Sequence, residues 1–435
     1  MPTNKEIKAR HDAVMFPCTA NFYGEDAVAL DHGKGSYVTD HDGTQYLDFF
    51  GGILTVSVGH GNDRVNAKVK AQMERLGHVS TLYPALPMVE LAEKLVGITP
   101  GNLDKVFFTA SGTEADETAV ALAQTHTRST ELVALRHGYS GRSMLAQSLT
   151  AHHTYRGVQT QIPGIKHAAA PYCYRCPYKQ KPESCELECA QDIEALIQTT
   201  TTGHIAGMLA EPIMGVGGFI VPHPDYHKLA AEIIRKYGGV YIADEVQTGF
   251  GRTGKKWWGI EQFGVEPDIM TMAKGIANGY PLSATLATTA IAETYGKGSI
   301  STYGGNPICT TASLAVIEEI EEEDLLKNVA TRGRELRNGL IGLQKRFPKI
   351  IGDVRGMGLM QAIELVVDET AGDRTPNPQI LGRLFTETRK RKLLIGKGGL
   401  YGNTVRISPA MNITAGEIQD ALKIMEDSFE VITKE

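Results

Sequence analysis

Five short apolar runs constrain this chain most: Lys105-Val-Phe-Phe-Thr109, Leu132-Val-Ala-Leu135, Ile205-Ala-Gly-Met-Leu-Ala210, Val240-Tyr-Ile-Ala243 and Ile269-Met-Thr-Met272, each separated from the next by stretches of helical pattern. Strands that alternate with helices imply an α/β fold, a mostly parallel sheet with helices on both faces. At 435 residues the chain exceeds a usual single core, so a second domain is expected. The texture changes after Pro307 to longer helices. The last of them starts with a capping box, Thr414 to Glu417, and repeats apolar residues at Ile418, Ala421, Leu422, Met425, Phe429 and Ile432, which marks a smaller α+β unit.

Two of the apolar runs end in chemistry. One continues into Asp244-Glu245-Val246-Gln247, the other into Ala273-Lys274-Gly275. A lysine at one strand end and a carboxylate at another suit Schiff-base chemistry on pyridoxal phosphate, the acid pairing with the protonated pyridine nitrogen. A third run leads into Ala110-Ser111-Gly112-Thr113 and then a helical pattern, a small-residue turn whose free N–H groups and helix dipole favour a phosphate. Either feature alone has a plain structural explanation, a solvated lysine or an ordinary N-cap. Their coincidence in one chain is what narrows the reading.

The strings DEVQTGFGRTG from Asp244 and MTMAKGIANGYPL from Met270 resemble the signature of the class III, or omega, aminotransferases, and the likeness runs from Asp42-Gly43 to Arg406-Ile-Ser-Pro409. The resemblance implies a fold-type I pyridoxal-phosphate enzyme. It implies a large cofactor domain over residues 58–310 and a small domain formed by residues 1–57 with 311–435. Lys274 would be the catalytic lysine and Asp244 the ring nitrogen's partner. Ser111, Gly112 and Thr113 would hold the phosphate, Tyr139 and Val246 the two ring faces, and Gln247 the ring hydroxyl. Glu211 would sit beside the cofactor, and Thr302 would reach the neighbouring subunit's phosphate, which requires a homodimer or tetramer with active sites at the dimer interface. Arg406 and Arg142 would bind substrate carboxylates, with Leu54, Ile53 and Tyr83 on the opposite wall. The pattern departs from the family at Ser140 and at Ser299-Ile300-Ser301, which leaves the keto acid open.

The implied reaction moves an amino group from an omega-amino acid, alanine or a small amine to pyruvate or glyoxylate. Alternatives on the same scaffold are an amine–pyruvate transaminase, a 4-aminobutyrate–2-oxoglutarate enzyme, an aminomutase or a phospho-lyase. The partners are therefore a small amino donor and a keto-acid acceptor.

Charge and composition agree with a soluble enzyme. The 44 basic and 50 acidic residues leave a formal charge of -6 without a basic patch, so no nucleic acid is expected. The opening residues lack a signal peptide's apolar core, and no apolar run approaches the ~20 residues that span a bilayer, so a cytoplasmic protein with no membrane partner is expected. Gly249 to Lys255 mimics a phosphate-binding loop, but Lys256 stands where a magnesium-binding hydroxyl belongs. Cys173, Cys176, Cys185 and Cys189 have the spacing of zinc ligands, with free thiols and disulfides as the competing readings. The family chemistry needs no metal.

Overall fold

The computed structural model describes residues 2–24, 28–159 and 161–434. In chain order its strands are β1 Leu30–Lys34, β2 Tyr37–Asp40, β3 Gln45–Asp48, β4 Lys105–Thr109, β5 Leu132–Leu135, β6 Ile165–Ala168, β7 Gly207–Ala210 and β8 Val240–Asp244. They continue as β9 Ile269–Met272, β10 Ser283–Ala287, β11 Ile351–Met357, β12 Met360–Asp368, β13 Asp373–Pro376, β14 Leu393–Leu394, β15 Gly396–Gly398 and β16 Thr404–Ile407.

The central sheet has seven strands in the order β4-β10-β9-β8-β7-β5-β6. Strands β5 to β9 are parallel, and β10 runs antiparallel between β9 and β4. Strands β5, β7, β8 and β9 are buried along their whole length, which is why they read as unbroken apolar runs: helices cover both faces. The helix Gly112–Thr127 packs across β7 to β10. Because β8 and β9 are parallel with Asp244 opposite Thr271, the acid and the lysine emerge at the same edge.

Two smaller sheets build the rest. Strands β11, β12, β16 and β15 form an antiparallel sheet, with β13 beside β12, and β1, β2, β3 and β14 form another. In the latter β3 runs parallel to β14, which ties the amino-terminal segment to the carboxyl-terminal part. The final helix, Ala415–Lys434, opens with the expected reciprocal cap: the Thr414 N–H donates to Glu417 at 2.7 Å and the Glu417 N–H to the Thr414 hydroxyl at 3.2 Å. It buries Ile418, Ala421, Met425, Phe429 and Ile432. One apolar core runs from Phe49 through Met270 and Ile276 to Ile407 and Met425, joining the central sheet to the smaller ones. Such continuity holds the carboxyl ends of the central strands at a fixed place relative to β16.

Candidate active site

A cavity of about 310 Å³ opens at the carboxyl edge of the central sheet, of the size small ligands occupy. It gathers Ser111, Gly112, Thr113, Tyr139, Arg142, Asp244, Val246, Gln247 and Lys274 from four separate stretches of chain. Lys274 follows β9 by two residues in a left-handed conformation, φ 45°, unusual for a residue with a side chain. Burial lowers its pKa, while the charges of Asp244 and Glu211 act in the opposite direction. A lysine so placed has more of the neutral, nucleophilic amine than one in water.

Asp244 ends β8 and accepts the Val246 N–H at 3.0 Å. Burial raises its pKa, so a cationic partner is needed to hold it ionised; a protonated pyridine nitrogen is such a partner. Val246 lies against the first turn of the Gly112–Thr127 helix so closely that a Cβ on Gly112 would stand 3.3 Å from both Val246 methyl groups. Glycine at this position lets Val246 and the helix start approach each other. Ser111 caps the helix by accepting the Glu114 N–H at 3.3 Å, and Glu114 in turn accepts the Ala110 N–H at 2.9 Å. The N–H groups of Gly112 and Thr113 have no helical carbonyl within reach and sit at the positive end of the helix dipole.

Tyr139 is half-buried, with its ring edge-on to Tyr155 at 5.3 Å between centroids. Glu211 stands just after β7, where its carboxylate accepts the Tyr139 N–H at 3.2 Å and the Gly215 N–H at 2.7 Å. These bonds fix the backbone that carries Tyr139. Burial, followed by the nearby Asp244 charge, raises the Glu211 pKa, and the two N–H donors oppose that rise. Gln247 packs its amide on Gly215, and its carbonyl Oε1 is buried with no partner in the protein among the described residues. An unmet acceptor beside Lys274 and Asp244 fits the hydroxyl of a pyridoxal ring.

These donors fit pyridoxal phosphate. When bound, that cofactor supplies an aldehyde that condenses with amines and a ring that takes up the electrons left by proton loss at Cα. The chain supplies the rest. In such a complex the first-turn N–H groups would hold the phosphate, Tyr139 and Val246 would flank the ring, Asp244 would keep the ring nitrogen protonated, and Lys274 would hold and move the proton at the substrate carbon.

Arg406, Leu54, Ile53, Tyr83 and Thr302 lie outside the cavity lining. Arg406, on β16, is buried beneath Phe50 and Phe219, donating to the Lys397 carbonyl at 2.9 Å and the Gly215 carbonyl at 3.5 Å. Burial lowers its pKa to about 10, and the Glu211 charge works against that shift without a direct ion pair. Leu54 is buried against Ile213 and Phe219, Ile53 is exposed, and Tyr83 and Thr302 lie on the protein surface. Arg142 lines the cavity, donating its N–H to the Thr113 hydroxyl at 3.3 Å, and its guanidinium makes no ion pair among the described residues. The four clustered cysteines are free thiols around one small cavity, and among the described residues no three His, Cys, Asp or Glu side chains are arranged to hold a metal ion. Asp116 and Thr55 also line the site, and the sequence reading missed them. Asp116 had a detectable signal: it shares the helix stripe of Ala119, Val120 and Ala123, where an acid is out of place.

The class III aminotransferase family model matches residues 20–429, and the chain belongs to that family: it is a pyridoxal-phosphate-dependent aminotransferase of fold-type I. It is 41% identical over 429 residues to the mitochondrial alanine–glyoxylate aminotransferase 2 homolog 2 of Arabidopsis thaliana, covering 98% of this chain and 88% of that one. Its structure resembles an (S)-enantioselective omega-transaminase from Thermomicrobium roseum, with a TM-score of 0.91 and 32% identity over 99% of both chains. An amine transaminase from an uncultivated Pseudomonas species, solved in its PLP-bound form, matches with a TM-score of 0.88 and 32% identity over 96% of this chain and 98% of that one.

Proposed function

We propose that the enzyme transfers an amino group from a small donor bearing a carboxylate, an omega-amino acid or alanine, to pyruvate or glyoxylate. Arg142 carries this reading: it is an arginine on the cavity wall with no ion-pair partner among the described residues, and a guanidinium can receive a carboxylate by paired hydrogen bonds. The likeness to an alanine–glyoxylate enzyme supports the acceptor. A second reading, transfer from hydrophobic amines, has its own support in the caging of Arg406 under two phenylalanines and in the likeness to an amine transaminase.

The two readings differ in what discharges the cofactor's visible absorbance band in the absence of keto acid. Bleaching by β-alanine, 4-aminobutyrate and L-alanine alone supports the carboxylate reading. Bleaching by 1-phenylethylamine to the same extent replaces it with the amine reading.

The working unit in this proposal is a cytoplasmic homodimer, with dimers free to pair into tetramers. Its support is an apolar surface that includes Leu82, Tyr83, Leu86, Ile300 and Tyr303, with Tyr83 and Tyr303 each 66% exposed. Thr81 and Ser301 are hydrogen-bonded to each other across this surface, so Thr302 is carried on it. A patch of this kind on a folded chain marks an interaction surface. Cell fractionation tests the compartment.

A further inference from the structure

Asp116 is an acid that the chemistry just described leaves unused. It is 2% exposed, lies on the face of the Gly112–Thr127 helix that packs on the sheet, and lines the cofactor cavity. Its carboxylate has one hydrogen bond among those observed, accepted from the Thr271 hydroxyl at 2.8 Å. Thr271 is the residue paired with Asp244 across β8 and β9, so the two aspartates are held on either side of it.

The charges around Asp116 can be counted element by element. Glu211 faces it from the end of β7, Asp244 from β8 and Lys274 from just after β9. Strand β10 offers only the hydroxyls of Ser283 and Thr285, which bind the helix carbonyls of Ser111 and Ala115. The short helices Met144–Leu149 and Thr289–Ala292, packed on the same helix, contain no charged residue, and Lys105 of β4 is exposed at the strand's other end. Three buried carboxyl groups thus face Lys274, and a further cation near them, Arg406, acts on Glu211.

Buried carboxylates in mutual contact do not all ionise; the proton stays where the anion is least compensated. Glu211 has two backbone N–H donors, and Asp244 has one together with the ring nitrogen it faces when cofactor is bound. Asp116 has a single hydroxyl. Burial and the Asp244 charge both push its pKa well above the usual carboxylate range, and only Thr271 and Lys274 act against them.

We propose that Asp116 keeps its proton at neutral pH and acts as a neutral positioning acid beside Asp244, so that of the two aspartates flanking Thr271 only Asp244 presents a negative charge to the pyridinium. The proposal rests on Asp244 being the ring nitrogen's partner. Asp116 then holds Thr271, and through it the β8–β9 edge, without competing with Asp244 for the cation. At this position asparagine should serve nearly as well as aspartic acid.

The test uses apo and cofactor-loaded protein. A carboxyl group whose pKa is raised on folding binds its proton more tightly in the native state, so native stability falls as pH rises from about 4, the unfolded value, to the folded one. The Asp116→Asn variant lacks that titration. Its melting temperature is therefore expected to exceed that of wild type by a margin that grows between about pH 5 and about pH 8, with cofactor Kd at neutral pH within about threefold of wild type. In difference infrared spectra at neutral pH, wild type should show a protonated-acid C=O band that the variant lacks. Asp116→Ser provides the assignment if Asp116→Asn does not fold. A melting difference independent of pH, or loss of about tenfold or more in cofactor affinity in Asp116→Asn, would mean that the carboxylate is ionised and needed as an anion, and the proposal fails; absence of the infrared band overturns it equally. Asp244→Asn separates the two readings: cofactor affinity unchanged in that variant removes Asp244 from the ring nitrogen while leaving the Asp116 pH trend to be judged by itself.

Discussion

Lys274 is a single amine held by burial, a left-handed backbone and three facing acids, Asp244, Glu211 and Asp116. None of these makes it important to the fold. Its side chain is partly open to the cavity, and the backbone turn that carries it is set by the packing of Gly275, Ile276 and Ala277 beneath it. Lys274→Ala is accordingly expected to abolish turnover and leave the melting temperature of the apo protein within a few degrees of wild type, which steady-state assay and thermal unfolding measure together. Near-normal turnover would require another residue to move the proton. At this scale the sequence was most readable where chemistry and local geometry coincide: an acid and a lysine at strand ends, small residues at a helix start. It was least readable where the partner lies elsewhere in the chain. Arg406 is buried by Phe50 and Phe219, and nothing near position 406 shows that. The cysteine spacing was equally ambiguous, because the surrounding segment is anchored by contacts far along the chain, such as the Tyr174 hydroxyl donating to Glu369 at 2.6 Å.

Between elements, the helix Tyr226–Lys236 is joined to the sheet by a fully buried histidine. His227 Nδ1 lies 2.6 Å from the Tyr241 hydroxyl on β8, and Nε2 lies 3.0 Å from the carbonyl of Pro212, one residue past Glu211. A neutral ring satisfies both, with Nε2–H donating to the carbonyl and Nδ1 accepting from tyrosine. Burial lowers its pKa to about 4. Because the unfolded ring takes a proton near pH 6.5 and the folded one does not, this histidine's contribution is present above pH 6.5 and is lost as pH falls toward 4, an effect of about 3 kcal/mol. The stability gap between wild type and His227→Gln should therefore narrow with acidification over that range. A pH-independent gap would mean that the folded histidine titrates normally. The same scale explains which strands escaped a reading of the sequence. Strand β10 is Ser283-Ala-Thr-Leu-Ala287, small and hydroxylated because the Gly112–Thr127 helix lies close upon it. Its identity depends on that neighbour rather than on apolar content. Strands β5, β7, β8 and β9, buried on both faces, carried their own signal.

For the whole molecule, the question is whether one chain contains a complete site. The helix start that would hold the cofactor phosphate belongs to one chain's cavity, whereas Thr302 lies on the exposed apolar surface with Tyr83 and Tyr303. A hydroxyl on that surface can serve a phosphate in a second copy and so make activity a property of the pair. The arrangement has a consequence that neither single variant shows. Lys274→Ala chains keep Thr302 but have no lysine, and Thr302→Val chains keep the lysine but offer no hydroxyl. In a mixed dimer the Thr302→Val chain retains its own Lys274 and receives Thr302 from its partner, so one of the two sites is whole. After denaturation and random reassembly of equal amounts, half the dimers are mixed with one good site each, and activity should reach about a quarter of wild type, above either variant alone. If Thr302 instead served its own chain, no mixed dimer would contain a whole site and reassembly would add nothing. If the protein proved monomeric by sedimentation, the shared-site arrangement would fall, and the exposed apolar surface would need another partner.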